Sequence, residues 1–279
     1  MSFIKSLIKK LIYKFKSKFN FDKLSTMESN GIVRNLTILK LLPKTPLNVP
    51  FTIGRTCRGI SLEFGLKGDS SFKMTQNIFD CKSLEYTKNE LFNDLKRERN
   101  KTAAEISGCY DNLILKEFPS WAFVWPWEKR SIYEKFKIYP YLLRQNREDK
   151  GMLFKNKNKY MKESEMFSLE MAESHVLQTY NLYKKIKNNG LKNPISYPTF
   201  YVLKNNNKWR WCMSGEGNHR VYILYLLGFK NFHGIVQSII QKKKIHEWPN
   251  VKNGIFNIQE AGKIFDKVFE GNECINSSF

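Results

Sequence analysis

The stretch Ser214-Gly215-Glu216-Gly217-Asn218-His219-Arg220 sets two glycines, a carboxylate, an imidazole and a guanidinium side by side. The apolar run Val221 to Leu227 and then Gly228 follow directly. Glycines let backbone N–H groups approach an anion, and a helix N-terminus attracts negative charge. An arginine fork grips phosphate oxygens. This chemistry suits the phosphates of a nucleotide. It is not a P-loop, which needs four residues between its glycines and then Gly-Lys-Ser/Thr. Gly215, Gly217, Asn218 and Arg220 are the candidate nucleotide-binding residues, with backbone amides on the phosphates. Glu216, His219 and Arg220 are the candidate catalytic residues. Arg220 neutralises transition-state charge, and His219 donates to a phosphate oxygen or transfers a proton. Glu216 ligates Mg²⁺ or orients an acceptor hydroxyl. Its simpler role is to complement a helix dipole.

The flanking segments describe a small folded unit that holds this stretch. Ser168 to Asn188 reads as a helix, because Leu169, Ala172, Val176, Thr179, Tyr180 and Tyr183 recur at helical spacing. Asn189-Gly190 ends it, with Lys184, Lys185 and Lys187 in the last turns. Glu170 and Glu173 lie one turn apart on it, as further carboxylates or, more simply, a solvated face. Thr199 to Leu203 and Lys208 to Met213 read as a hairpin turning at Asn205-Asn206-Asn207. Trp209, Trp211 and Met213 share one face of the second strand by the period-2 rule. The glycine loop, a helix from Asn218 to Leu227 and a last strand from Gly234 to Ile240 complete the order.

That order, and its residues, resemble the ParB/sulfiredoxin superfamily over about Met161 to Ile240. The matching pieces are Gly190-Leu191-Lys192-Asn193-Pro194-Ile195, the loop Gly215 to Arg220, and Leu227-Gly228 at the helix end. Sulfiredoxins carry Gly-Cys-His-Arg with a catalytic cysteine. Asn218 stands there in this chain, and Cys212 on the preceding strand does not replace it. Partition-type ParB proteins bind CTP and continue into a DNA-binding domain, for which residues 237–279 are too few. The small-molecule kinase branch carries Asp-Gly-x-His-Arg. Here Glu216 takes the Asp position, with Gly217, Asn218, His219 and Arg220 in register, so this branch matches best by loop chemistry. The chain is also similar to ParB-like proteins associated with surface-polysaccharide synthesis. The resemblance implies a nucleotide-dependent phosphotransferase with ATP as donor, CTP as the alternative, and Mg²⁺. The acceptor is expected to be a hydroxyl on a small molecule, sugar or glycan intermediate. The competing class is a ParB-like nucleotide switch that binds DNA or a protein partner and hydrolyses slowly or not at all.

The chain has 279 residues, with 42% hydrophobic and 14% aromatic residues, enough for a substantial core. No apolar run approaches the ~20 residues of a spanning helix. Charges interrupt the N-terminal apolar residues, so no cleavable signal pattern is read. Cys57, Cys81, Cys109, Cys212 and Cys274 are scattered, which points to a reducing compartment and to neither disulfides nor zinc. The expected location is cytoplasmic. The net charge of +21 invites a nucleic-acid reading. Lysine is spread through nearly every segment beside Asn, Ile and Phe, as an AT-rich coding sequence would produce. No nucleic-acid module accompanies it, so nucleic acid ranks below a nucleotide as partner.

Residues 1–24 form a basic amphipathic segment. Ile4, Leu7, Ile8, Leu11, Ile12, Phe15 and Phe19 make an apolar stripe, with lysines mostly elsewhere. Two readings stand: an interfacial helix on an anionic membrane through residues 1–19, or a helix packed on the body. Residues 25–159 are α-rich and carry no resemblance. Within them Ile53 to Leu66 suggest broken strands, Leu84 to Arg99 a charged helix, and Thr102 to Ser107 a short one. The aromatic segment from Phe118 to Trp127 fills a core or binds sugars or bases. Arg144, Arg147, Glu148 and Asp149 read most simply as a solvated turn, though within reach of the phosphate site. The expected class is therefore α+β (mixed α/β). It comprises the amphipathic helix, the α-rich region, a ParB/sulfiredoxin-like domain over 160–245 and a helical extension over 246–279.

Overall fold

The computed structural model describes residues 46–56, 69–149, 152, 158–190 and 197–271. The basic segment 1–24, residues 57–66 of the expected strands, and Leu191 to Ile195 lie outside them. The described chain is mixed α+β, with a curled five-stranded sheet and ten α-helices.

The first strands are β1 (Leu47–Pro50) and β2 (Gly54–Arg55), joined by one 3-10 turn, Phe51–Ile53. The helices α1 (Ser70–Phe79), α2 (Leu84–Arg99), α3 (Ala103–Ser107), α4 (Leu113–Lys116), α5 (Ile132–Glu148) and α6 (Glu163–Met166) follow. Next come α7 (Leu169–Asn189), β3 (Thr199–Asn205), β4 (Lys208–Met213), α8 (Asn218–Leu226) and β5 (Asn231–Gln241). The helices α9 (Pro249–Lys252) and α10 (Ile258–Glu270) end the described chain. Local chemistry sets these boundaries. Side chains of Asp69, Ser83, Ser131, Ser168 and Asn257 accept from backbone N–H groups at the starts of α1, α2, α5, α7 and α10. Gly190, at φ +64°, closes α7.

The strand order is β1-β5-β3-β4-β2. β3 and β4 are the antiparallel hairpin, and β5 lies parallel to β3. β1 and β2 occupy opposite edges although only Phe51–Ile53 separates them. A flat five-stranded sheet would hold its edges ~19 Å apart. The four residue steps from Pro50 to Gly54 reach at most ~14 Å. The sheet therefore has to curl. Trp211 crosses the curl, its indole N–H donating to the Pro50 carbonyl at 2.6 Å. Its ring lies so close over Gly54 that a Cβ there would sit 2.2 Å from it. Glycine at position 54 is a requirement of this approach, not of backbone conformation.

The two faces of the sheet bury different cores. Phe200, Val202, Trp209, Trp211, Met213 and Phe232 pack with residues of α1, α2, α7 and α8. The shared face of Trp209, Trp211 and Met213 follows the strand period. Leu203, Cys212 and Ile240 pack on the other side against Phe123, Val124 and Trp127 and against Phe265, Val268 and Phe269 of α10. Burying each such large side chain contributes roughly 1.5–3 kcal/mol. Arg55 ties the sheet edge to α10, donating to the carbonyls of Val268 at 3.0 Å and Phe269 at 2.8 Å. One sheet thus spans the boundary expected near residue 160. The hairpin and β5 alone would leave two open edges, and β1 and β2 cover them.

Of two further sequence expectations, the first holds in its core-filling form and the second changes. The aromatic segment fills the second core, with Val124 fully buried and Trp127 nearly so. Arg144 and Arg147 do not sit on a solvated turn. Both are buried on α5, at 6% and 5% exposure. No helix among the described residues is long and apolar enough to cross a membrane.

Candidate functional site

The glycine loop leaves β4 at Met213 and is pinned by the first residue of β3. The Ser214 N–H donates to the Thr199 carbonyl at 3.2 Å, and the Thr199 N–H to the Glu216 carbonyl at 3.1 Å. The Thr199 and Ser214 hydroxyls meet at 2.5 Å. Gly215 has φ +109° and Gly217 φ +82°. At Gly217 a Cβ would also lie 2.8 Å from Pro198 Cα. Both conformation and space therefore demand glycine there. The Gly217 carbonyl accepts the first helical bond, from the Val221 N–H at 3.2 Å.

Gly217 is the N-cap of α8 and supplies no side-chain acceptor. The first turn of α8 therefore has no side-chain oxygen from its N-cap residue, whereas α1, α2, α5, α7 and α10 each have one. An uncapped N-terminus presents N–H groups and the positive dipole end to an incoming anion. The helix is rigidly seated. Val221, Tyr222, Ile223 and Leu224 are buried, and the Tyr222 hydroxyl donates to Asp69 Oδ2 at 2.9 Å.

The structure places the loop residues as their spacing implied. Gly215 and Glu216 are exposed; Gly217, Asn218, His219 and Arg220 are half-buried. Asn218 Oδ1 is buried and accepts no hydrogen bond. Burial pushes the Arg220 guanidinium below its ordinary pKa, and Glu216 opposes this. Glu170 and Glu173 are exposed on α7, and Glu173 acts on Lys88 of α2. Among the described residues no group of three or more His, Cys, Asp or Glu could hold a metal. Cys212 faces the second core and donates to the Thr56 carbonyl at 3.1 Å.

Two further residues lie by this site: His175, which the sequence did not assign to it, and Arg147, which it read most simply as solvated though within reach. His175 of α7 lies 6.3 Å from His219, ring centre to ring centre, at 71°. His175 also contacts Arg147 Nη2, and Arg147 Nη1 donates to Gln178 Oε1 at 3.1 Å. Arg147 Nε has no partner. Burial lowers the Arg147 pKa from its ordinary value, and among the described residues no carboxylate counters that effect. Arg144 differs, since its Nε donates to Glu148 at 2.8 Å. One signal for Arg147 was legible: it continues the stripe Ile132, Phe136, Tyr139, Leu143 at helical spacing, where an apolar residue is expected. His175 likewise lies one turn from Met171 and Ala172 on the buried side of α7.

Arg147 meets His175, His175 lies against His219, and His219 and Arg220 stand in the first turn of α8, so cationic groups follow one another from α5 to the start of α8. No protein-family model, no curated protein and no solved structure matches this chain.

Proposed function

We propose that the chain is a nucleotide-dependent phosphotransferase with a ParB/sulfiredoxin-like core. The observation that carries this reading is the uncapped N-terminus of α8, entered through two positive-φ glycines and followed at once by His219 and Arg220. The succession of α7, the hairpin, the loop, α8 and β5 supports the family resemblance. Phosphoryl transfer needs positioning and charge neutralisation more than covalent chemistry. The amides of the loop and first turn hold the phosphates. Arg220 balances the charge that builds on the transferred group, and His219 donates to one of its oxygens or carries the acceptor's proton. Mg²⁺, held by Glu216 and the phosphates, would supply further neutralisation.

ATP is the leading donor and CTP the second. The acceptor is a hydroxyl of a small molecule or of a sugar or glycan intermediate. Trp127 and Phe123 are committed to the core and offer no sugar platform. Attachment to an anionic membrane through residues 1–19 belongs to the same reading and would place the enzyme on the cytoplasmic face.

Glu216→Gln tests the chemistry apart from binding. Its side chain is exposed, so the fold should not change. Nucleotide affinity is expected to stay within a few-fold, while turnover with a sugar or glycolipid pool falls about 100-fold or more. Titration calorimetry and a product assay on the same preparation measure both. Unchanged turnover would remove Glu216 from the mechanism. Slow hydrolysis that no acceptor stimulates would favour the ParB-like switch instead.

A further inference from the structure

We propose that Arg147 is a second phosphate-binding arm of this site, and that the ligand therefore carries at least two phosphate groups. The inference rests on the nucleotide reading above. A guanidinium at 5% exposure is normally neutralised by a carboxylate. Among the described residues the Arg147 side chain bonds only the neutral Gln178 amide and the His175 ring, and its Nε bonds nothing. Arg144, one turn earlier on the same helix, shows the ordinary solution with Glu148. Arg147 remains protonated even when its pKa is lowered. A charge left this way is costly to the free protein and is suited to an anion that arrives later.

Position supports the same conclusion. His175 contacts Arg147, its ring centre lies 6.3 Å from that of His219, and His219 is in the first turn of α8 beside Arg220. His175, Gln178 and His219 are each only half-buried. One phosphate on the helix start and Arg220, and a second toward His175 and Arg147, describe a di- or triphosphate tail. A single phosphate needs only the first arm.

The test compares ATP, ADP and AMP, or the cytidine series if the wild type prefers it, together with inorganic pyrophosphate. Full-length wild type, Arg147→Met and Arg147→Lys are titrated and melted. The expected result is that Arg147→Met weakens triphosphate and diphosphate binding about 10- to 100-fold and leaves the monophosphate within about twofold. Arg147→Lys should recover part of the loss. The ligand-free Met variant should melt at or above the wild-type temperature, because an uncompensated buried charge has gone. A purely structural guanidinium predicts the opposite: a lower melting temperature and no change in phosphate-number preference. Equal ATP affinity in wild type and Arg147→Met would overturn this proposal while leaving the nucleotide reading intact. Arg147-dependent pyrophosphate binding in a protein that takes no nucleotide would keep the anion arm and remove the nucleotide. A wild type that binds none of these probes would end both.

Discussion

Arg220→Ala is expected to abolish nucleotide binding and leave folding nearly intact. The side chain is half-buried in the first turn of α8, where alanine is a good helix former. What goes is a charged fork beside the uncapped amides. Each charge-assisted hydrogen bond is worth roughly 1.5–3 kcal/mol, so losing a bidentate pair predicts at least ~100-fold weaker binding. Arg220→Lys restores charge without the planar fork and should rescue only in part. Titration with ATP and CTP, beside a melting curve, reads both quantities. An alanine variant with full affinity would place the phosphates elsewhere.

Gly217→Ala should cost both stability and binding. The left-handed conformation at φ +82° costs an L-residue roughly 1–2 kcal/mol. The new methyl would also press on Pro198, at 2.8 Å from its Cα and 2.9 Å from its Cβ. Backbone cannot yield as a flexible side chain does, and overpacking adds roughly 1–3 kcal/mol. For a chain of this size the melting temperature should fall by about 5–15 °C. Relief by moving the loop would carry the α8 amides away from the phosphates, so nucleotide affinity should fall as well. Gly215→Ala separates the two causes. Its Cβ meets open space, and only the strain of φ +109° remains, so the fall should be smaller. Equal losses at both positions would show that contact with Pro198 does not set the loop.

The residues that announced themselves in sequence were those with local causes. α7 follows its apolar period and ends at Gly190. The hairpin turns at Asn206, which adopts φ +50°, and β3 runs on to Asn205, past the expected end at Leu203. The glycine loop and the start of α8 lie where their spacing put them. β1 was not legible, and β2 only as the start of the expected strands from Ile53, because four and two residues cannot display a period. Their place depends on pairing with β5 and β4, far along the chain. Arg147 and His175 were invisible as partners for the same reason. Their meeting is made by the packing of α5 and α7, and a charged cluster before Gly151 looks solvated until that packing is known.

The most direct measurement is a thermal-shift and titration series on the full-length wild type with ATP, CTP and their monophosphates in the presence of Mg²⁺. Any ligand that binds only the folded state raises its melting temperature, by an amount that grows with concentration over Kd. The phosphate site at the start of α8 predicts saturable stabilisation by at least one nucleoside triphosphate, lost in Arg220→Ala. No shift with any nucleotide, or a shift that persists undiminished in Arg220→Ala, would contradict it.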